Sequence, residues 1–163
     1  MEIPAHIKLV VLDCDGTLIT TKSGETFRKT ADDWQWLEGR IEKCEQLRAS
    51  AIHLALATNQ AGVAFSWSRF SEAEMQREIE AVAHRISAEY IGVCYSSPNV
   101  KALPQYHDPA DNRRKPGPGM ILEAMLHYGV TAAETLMVGD RADDEGAAKA
   151  AGVKFIHAEN FFA

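Results

Sequence analysis

The sequence predicts an α/β fold in which a central parallel sheet carries helices on both faces. Short β-branched runs alternate along the chain with stretches of helical apolar periodicity. The runs are apolar on both sides, as strands covered on two faces must be. Several of them end abruptly in Asp, Thr, Asn or Gly, the residue types that collect at the ligand-binding edge of such sheets. The chain has 163 residues, 46% hydrophobic and 25% charged, which is the length and composition of one ordinary globular domain. Residues 1–163 are therefore expected to form a single domain.

Taken in order, residues Ile7 to Leu12 read as the first strand. The segment Ile19 to Asp33, with Lys22-Ser23-Gly24-Glu25 between Thr-rich arms, reads as a β-hairpin over the end of that strand. Leu37, Ile41, Cys44 and Leu47 fall on one face of a first helix, and Ile52 to Ala57 form the second strand of the sheet. Ser71 and Glu74 form a capping box for a helix whose apolar stripe is Met75, Ile79, Val82, Ala83 and Ile86. Ile91 to Tyr95 read as the next strand, and Ser96 to Pro118 as a long polar loop of the kind that carries function. Ile121, Ala124, Met125 and Tyr128 mark a third helix ended by Gly129. Thr135 to Val138, a helix through Ala147, Ala148 and Ala151 ended by Gly152, and a strand at Val153 to Ile156 complete the pattern.

Composition excludes several classes. No run reaches the 18 or so apolar residues of a membrane span, and Met1-Glu2-Ile3-Pro4 lacks a basic-then-apolar signal pattern. Cys14, Cys44 and Cys94 are scattered and odd in number, which fits a reducing cytoplasm. A net charge of −6 means that any phosphate-bearing partner must be drawn by local charge.

The strand ends carry the chemistry. Asp13-Cys14-Asp15-Gly16-Thr17 follows the first strand, Thr58-Asn59-Gln60 the second, and Gly139-Asp140 the fourth, with Asp143 and Asp144 behind it. Lys115 opens the helix after the long loop, preceded by Arg113 and Arg114. A carboxylate can attack phosphorus and form an aspartyl-phosphate. A second carboxylate can protonate the leaving alkoxide and then activate water. Anions gathered around an anionic substrate call for a hard cation, and Mg²⁺ suits an oxygen-only shell. Thr58 can hold phosphate oxygens, and Lys115 can supply fixed positive charge. The stretches between Asp13, Thr58 and Lys115 are used up by the elements above, so no lid domain fits and the site is expected to be open. Cys14, on the opposite face of the strand, is read as a buried small residue and not a nucleophile.

Asp13-x-Asp15-Gly16-Thr17, Thr58-Asn59, Lys115-Pro116 and Gly139-Asp140-x-x-x-Asp144 resemble the four ordered motifs of the haloacid-dehalogenase (HAD) superfamily. The resemblance spans nearly the whole chain. It implies a Rossmann-like HAD fold without a cap, Asp13 as nucleophile, Asp15 as acid/base and Lys115 as the residue that orients the nucleophile. It also implies phosphate binding by Thr58, with Asn59, Thr17 and Arg114 as further substrate-binding candidates. Mg²⁺ would be held by Asp13, the backbone carbonyl of Asp15, Asp140 and Asp144. The segment Asp15 to Gly24 with Phe27 and Asp33-Trp34, the Asn112-Arg113-Arg114-Lys115-Pro116 run and the closing Glu159-Asn160-Phe161-Phe162 resemble the 3′-phosphatase domain of polynucleotide kinase/phosphatase.

That resemblance implies a phosphomonoester substrate at a DNA or RNA 3′ end and a place in DNA repair; a separate kinase or ligase partner is left open, since no Gly-x-x-x-x-Gly-Lys-Ser/Thr loop is present to supply kinase activity in cis. The alternative is a small-molecule phosphatase for a sugar, heptose or histidinol phosphate, whose relatives share the Thr-Asn-Gln and Arg-Lys-Pro segments. Many of those relatives carry a Cys/His zinc loop, whereas Ser96 to Arg114 holds only His107, so no structural zinc is expected. A more remote alternative is a phospho-acceptor receiver domain, which would place its aspartate on the third strand. Lys22, Arg28, Lys29, Arg113, Arg114 and Arg141 are expected on loops at the active rim, and Trp67, in a Ser-Trp-Ser context, is a candidate for stacking on a base.

Overall fold

The computed structural model describes residues 3–163. Met1 and Glu2, part of the N-terminal stretch read above, lie outside the described residues. In chain order the elements are β1 (Leu9–Leu12), β2 (Ile19–Thr20), β3 (Gln35–Trp36), α1 (Arg40–Ala49), β4 (His53–Asn59), α2 (Glu72–Ile86), β5 (Tyr90–Cys94), α3 (Gly119–Tyr128), β6 (Thr135–Gly139), α4 (Ala142–Ala151), β7 (Lys154–His157) and α5 (Ala158–Phe162). Five strands form one sheet in the order β5-β4-β1-β6-β7, and every pairing in it is parallel. The central strand β1 aligns Leu9 with His53 on one side and with Thr135 on the other. Strand order reverses around β1, so the carboxyl ends of β1, β4 and β6 open onto a common crevice.

Alternation along the strands builds two cores. Val10, Leu12, Leu54 and Leu56 face Cys44 and Leu47 of α1, Ile79, Val82 and Ile86 of α2, and Phe161 of α5. Leu9, Val11, Ala55, Ala57 and Met137 face Met120, Ile121 and Ala124 of α3 and Ala147 and Ala148 of α4. Each fully buried large side chain in these layers contributes about 1.5–3 kcal/mol. The predicted capping box is present: Ser71 Oγ accepts from the Glu74 amide at 3.2 Å, while Glu74 Oε2 accepts from the Ser71 amide at 2.7 Å.

Four elements differ from the sequence expectation. Helix α3 begins at Gly119, so Lys115 does not open it but lies on the loop four residues ahead, where Pro116 and Pro118 disfavour helical backbone in the residues before them. The hairpin arms are Ile19–Thr20 and Gln35–Trp36, antiparallel with Ile19 opposite Trp36, so the segment between them is a loop and not a tight turn. That segment lacks the apolar alternation a ladder needs. It is organised instead by one carboxylate: Asp33 accepts from the Ser23 amide (2.9 Å), Ser23 Oγ (2.7 Å) and the Lys29 amide (2.9 Å). Leu37 lies ahead of α1, its amide bonded to the Leu18 carbonyl at 3.0 Å. The periodicity gives no sign of α5, since five residues are too few to display it; the buried Phe161 and an Arg40 guanidinium over the Phe162 ring at 4.1 Å hold it.

Candidate active site

A cavity of about 1030 Å³ opens at the carboxyl ends of the central strands. Its floor is made by Asp13, Thr58, Lys115 and Asp144, all buried. Asp13 is the first residue past β1, its amide held by the Val138 carbonyl of β6 at 3.0 Å. The chain then turns sharply: the Cys14 carbonyl accepts from the amides of Leu18 (2.9 Å) and Ile19 (3.2 Å). Gly16 makes this turn possible, with φ +84°, and a Cβ there would sit 2.3 Å from Asp140 Oδ2. Glycine at this position therefore lets the Asp13–Thr17 turn close on the β6 loop.

Lys115 is the electrostatic centre of the floor. Its ammonium, 3% exposed, donates to Asp13 Oδ1 at 2.6 Å and to Asp144 Oδ1 at 2.5 Å. Burial alone would lower the lysine's pKa, but the charges of Asp13 and Asp144 outweigh it and hold the ammonium protonated. Burial pushes the Asp13 carboxyl up to about 7, against the lowering pull of Lys115. Burial also raises Cys14 well above the usual thiol range, which removes it as a nucleophile.

Asp144 sits in the first turn of α4 and accepts from the amides of Asp140 and Arg141 at 3.1 Å each, so the helix start and Lys115 both neutralise it. Asp143, in the same turn, is exposed at the edge of the cavity. Oxygens of Asp13, Asp140 and Asp144 all lie within 4.8 Å of one another. An all-carboxylate cluster of this kind fits a hard divalent cation such as Mg²⁺.

The remaining predicted site residues take distinct positions. Asn59 spends its side chain on the Lys115 backbone: Nδ2 donates to the Lys115 carbonyl at 2.9 Å and Oδ1 accepts from the Lys115 amide at 3.0 Å. Asn59 thus ties the Lys115 backbone to the end of β4 while itself lining the cavity. Thr17 is fully buried and its hydroxyl lies 3.4 Å from Asp140 Oδ1, behind the cavity wall. Arg114 lines the cavity and donates to the Ser96 carbonyl at 2.9 Å. Of the other predicted rim cations, Arg28, Lys29 and Arg141 line it as well. Arg113 does not: its guanidinium is bound to Glu123 (2.9 Å) and the Val93 carbonyl (3.2 Å). Lys22 donates to the Asp32 carbonyl at 3.3 Å.

The carboxylate of Asp15 stands apart from the three-aspartate cluster. Arg28 donates to its Oδ1 through both Nε (3.0 Å) and Nη2 (2.9 Å), and Gln60 Nε2 donates to its Oδ2 at 2.7 Å. Gln60 also donates to Thr58 Oγ1 at 2.9 Å, which leaves the Thr58 hydroxyl proton to be offered elsewhere. The sequence reading did not single out Gln60. Its position two residues after Thr58, on the same side of an extended chain, is the signal that could have found it. At the mouth, Phe65 and Trp67 stack with centroids 4.6 Å apart, and Trp67 and Phe27 are the exposed aromatic residues of the cavity wall.

A parallel sheet with an Asp-x-Asp at the end of its central strand, a lysine bridging two carboxylates and no cap among the described residues defines a phosphatase of the HAD superfamily. The chain belongs to the polynucleotide kinase 3 phosphatase family, whose model matches residues 8–163. It is 32% identical over 151 residues to the D-glycero-β-D-manno-heptose-1,7-bisphosphate 7-phosphatase of Pasteurella multocida, covering 90% of this chain and 78% of that one. The enzyme of the same description from Vibrio cholerae is 34% identical over 148 residues, covering 88% and 76%. Among solved structures, a D,D-heptose 1,7-bisphosphate phosphatase from B. bronchiseptica complexed with magnesium and phosphate superposes with a TM-score of 0.72 at 27% identity, over 91% of this chain and 79% of that one. A HAD-superfamily hydrolase from Geobacter sulfurreducens shares the fold, with a TM-score of 0.60 at 18% identity over 93% and 89%.

Proposed function

We propose that the chain is a Mg²⁺-dependent phosphomonoesterase that passes the phosphoryl group through Asp13, acting on a small phosphate ester of the phosphorylated-sugar class. The observation that carries the chemistry is the buried Asp13 carboxylate bonded to Lys115, with Asp15 two residues on facing the same open cavity. The likeness to heptose-bisphosphate phosphatases over nine-tenths of the chain supports the substrate class.

With Oδ1 engaged by Lys115, Asp13 Oδ2 is the oxygen available to attack phosphorus. The bond from phosphorus to the ester oxygen breaks as the new bond to Asp13 forms, and the departing oxygen takes its proton from Asp15. Asp15, now a carboxylate, takes a proton from water as that water attacks the phosphoryl group, and Asp13 is regenerated. The Thr58 hydroxyl and the Lys115 ammonium stabilise the charge on the transferring group. Asp13, Asp140 and Asp144, with the Asp15 backbone carbonyl, would hold a Mg²⁺ that supplies the positive charge a carboxylate needs to approach a phosphate. Among the described residues no helix is long and apolar enough to cross a membrane. Three free, buried cysteines favour a reducing compartment, hence the cytoplasm.

A second reading, a polynucleotide 3′-phosphatase with a role in DNA repair and a separate kinase or ligase partner, is favoured by the family match and by exposed Trp67 and Phe27 at the mouth, which could stack on an unpaired base. One experiment separates them: kcat/KM, with Mg²⁺, for heptose 1,7-bisphosphate, histidinol phosphate, an aryl phosphate and a 3′-phosphorylated oligonucleotide. A preference of about 10²-fold or more for a small ester is the expected result. The same margin in favour of the oligonucleotide overturns the sugar-phosphate reading and leaves the chemistry intact.

A further inference from the structure

The loop between β2 and β3 delivers an arginine to Asp15, and the contact is built more firmly than a surface ion pair. The Arg28 side chain is only 5% exposed. Its third nitrogen, Nη1, is tied to the Ala31 carbonyl at 3.0 Å. The loop that carries it is gathered on Asp33 by three hydrogen bonds. On the other side of the carboxylate, Gln60 is 8% exposed and is itself held between Asp15 and Thr58. A carboxylate has about four lone-pair positions in its plane. Arg28 fills the two on Oδ1 and Gln60 one on Oδ2, so a single position on Oδ2 remains, on the oxygen linked through Gln60 to Thr58.

We infer that Arg28, with Gln60, is a positioning residue: it locks the plane of the Asp15 carboxyl so that the remaining Oδ2 position is the one that exchanges a proton with the leaving oxygen. Proton transfer demands alignment at hydrogen-bond distance, whereas phosphate binding by Thr58 and Lys115 does not involve Arg28. Arg28 therefore acts on the step in which the leaving group departs, and its importance scales with how much that group needs a proton. The inference rests on Asp15 being the proton donor of the proposed reaction.

The test compares kcat/KM for an alkyl phosphate, a poor leaving group, with kcat/KM for p-nitrophenyl phosphate, a good one. This ratio of constants reports only the steps up to loss of the leaving group. The proteins are wild type, Asp15→Asn, Arg28→Gln, Arg28→Ala and Arg28→Lys, each checked for folding by its thermal melt. Arg28→Gln keeps much of the stem and one donor should the alanine variant fail to fold. Asp15→Asn is expected to lose about 10²-fold or more on the alkyl ester and far less on the aryl ester. Arg28→Ala and Arg28→Gln are expected to show the same bias at roughly tenfold, and Arg28→Lys not to restore the alkyl rate, because one ammonium cannot reproduce the guanidinium's paired bonds. Equal losses on both esters in the Arg28 variants, with Asp15→Asn biased as expected, would overturn the positioning role and make Arg28 a binding or structural residue. An Asp15→Asn variant with no leaving-group bias would overturn the proposal one step earlier, at the assignment of Asp15.

Discussion

The floor and the mouth of the cavity are built on opposite physical terms. On the floor, Asp13, Lys115 and Asp144 are buried and face one another directly: Asp13 stands at the end of β1, Asp144 in the first turn of α4, and Lys115 on the loop ahead of α3, its backbone held by Asn59. At the mouth, Phe27 and Trp67 stand on loops, and both aromatic rings are largely exposed. Charges held in a low-dielectric floor interact strongly and tolerate no loss of a partner. Contacts at a solvated mouth are individually weak and can be exchanged. In the proposed reaction the floor carries the chemistry, and the mouth is where the ester would enter.

Substitutions on the floor should have the largest effects. Asp13→Asn is expected to abolish turnover, by about 10⁴-fold or more, while circular dichroism shows an intact fold; measurable phosphate release above background would remove the covalent route. Lys115→Met comes next. It leaves Asp13 and Asp144 buried without their common partner, so a loss of about 3–5 kcal/mol in denaturant unfolding should accompany a collapse in activity. A variant of undiminished stability would mean that the pair is solvated. Gly16→Ala lies between floor and mouth. Its Cβ would press on the Asp140 carboxylate at a backbone angle that disfavours any side chain, and Mg²⁺ affinity by calorimetry should fall by about 10–100-fold.

The mouth should respond to pH instead. Hydrogen bonds from Lys29 and Ser23 lower Asp33 to about 2. A carboxylate depressed below its unfolded value contributes its stability above about pH 4 and loses it as pH falls through its folded value. The Ser23 and Lys29 amide resonances should therefore shift together near pH 2, and an Asp33→Asn variant should lose that transition. A transition at the ordinary carboxylate pH would show that Asp33 does not organise the loop.

The same division governs what could be read from the chain. Parallel strands buried on both faces leave an unmistakable apolar pattern, and their polar ends brought Asp13, Thr58, Asp140 and Asp144 into view together. Lys115 was legible from its basic Arg113-Arg114-Lys115-Pro116 run, although it lies on the loop ahead of α3 and does not open that helix. What escaped were partners decided by tertiary approach: Gln60 and Arg28 on Asp15, Asn59 turned onto the Lys115 backbone, and Thr17 turned onto Asp140. Each is a polar residue whose type fits several roles, and only the meeting of distant segments selects one. The hairpin was misplaced for a related reason. A side-chain carboxylate competes with ladder pairing there, and propensity does not record that competition.

The most direct test of the account is to look for the phosphoryl group on Asp13. Asp15→Asn should still react with an aryl phosphate in the presence of Mg²⁺ and then stall, because water attack lacks its base. Rapid acid quench followed by peptide mass spectrometry is predicted to find one phosphoryl group on the peptide containing Asp13, absent when Asp13→Asn is added. Steady turnover by the wild type, with no phosphorylated Asp13 trapped in either protein, would contradict the account.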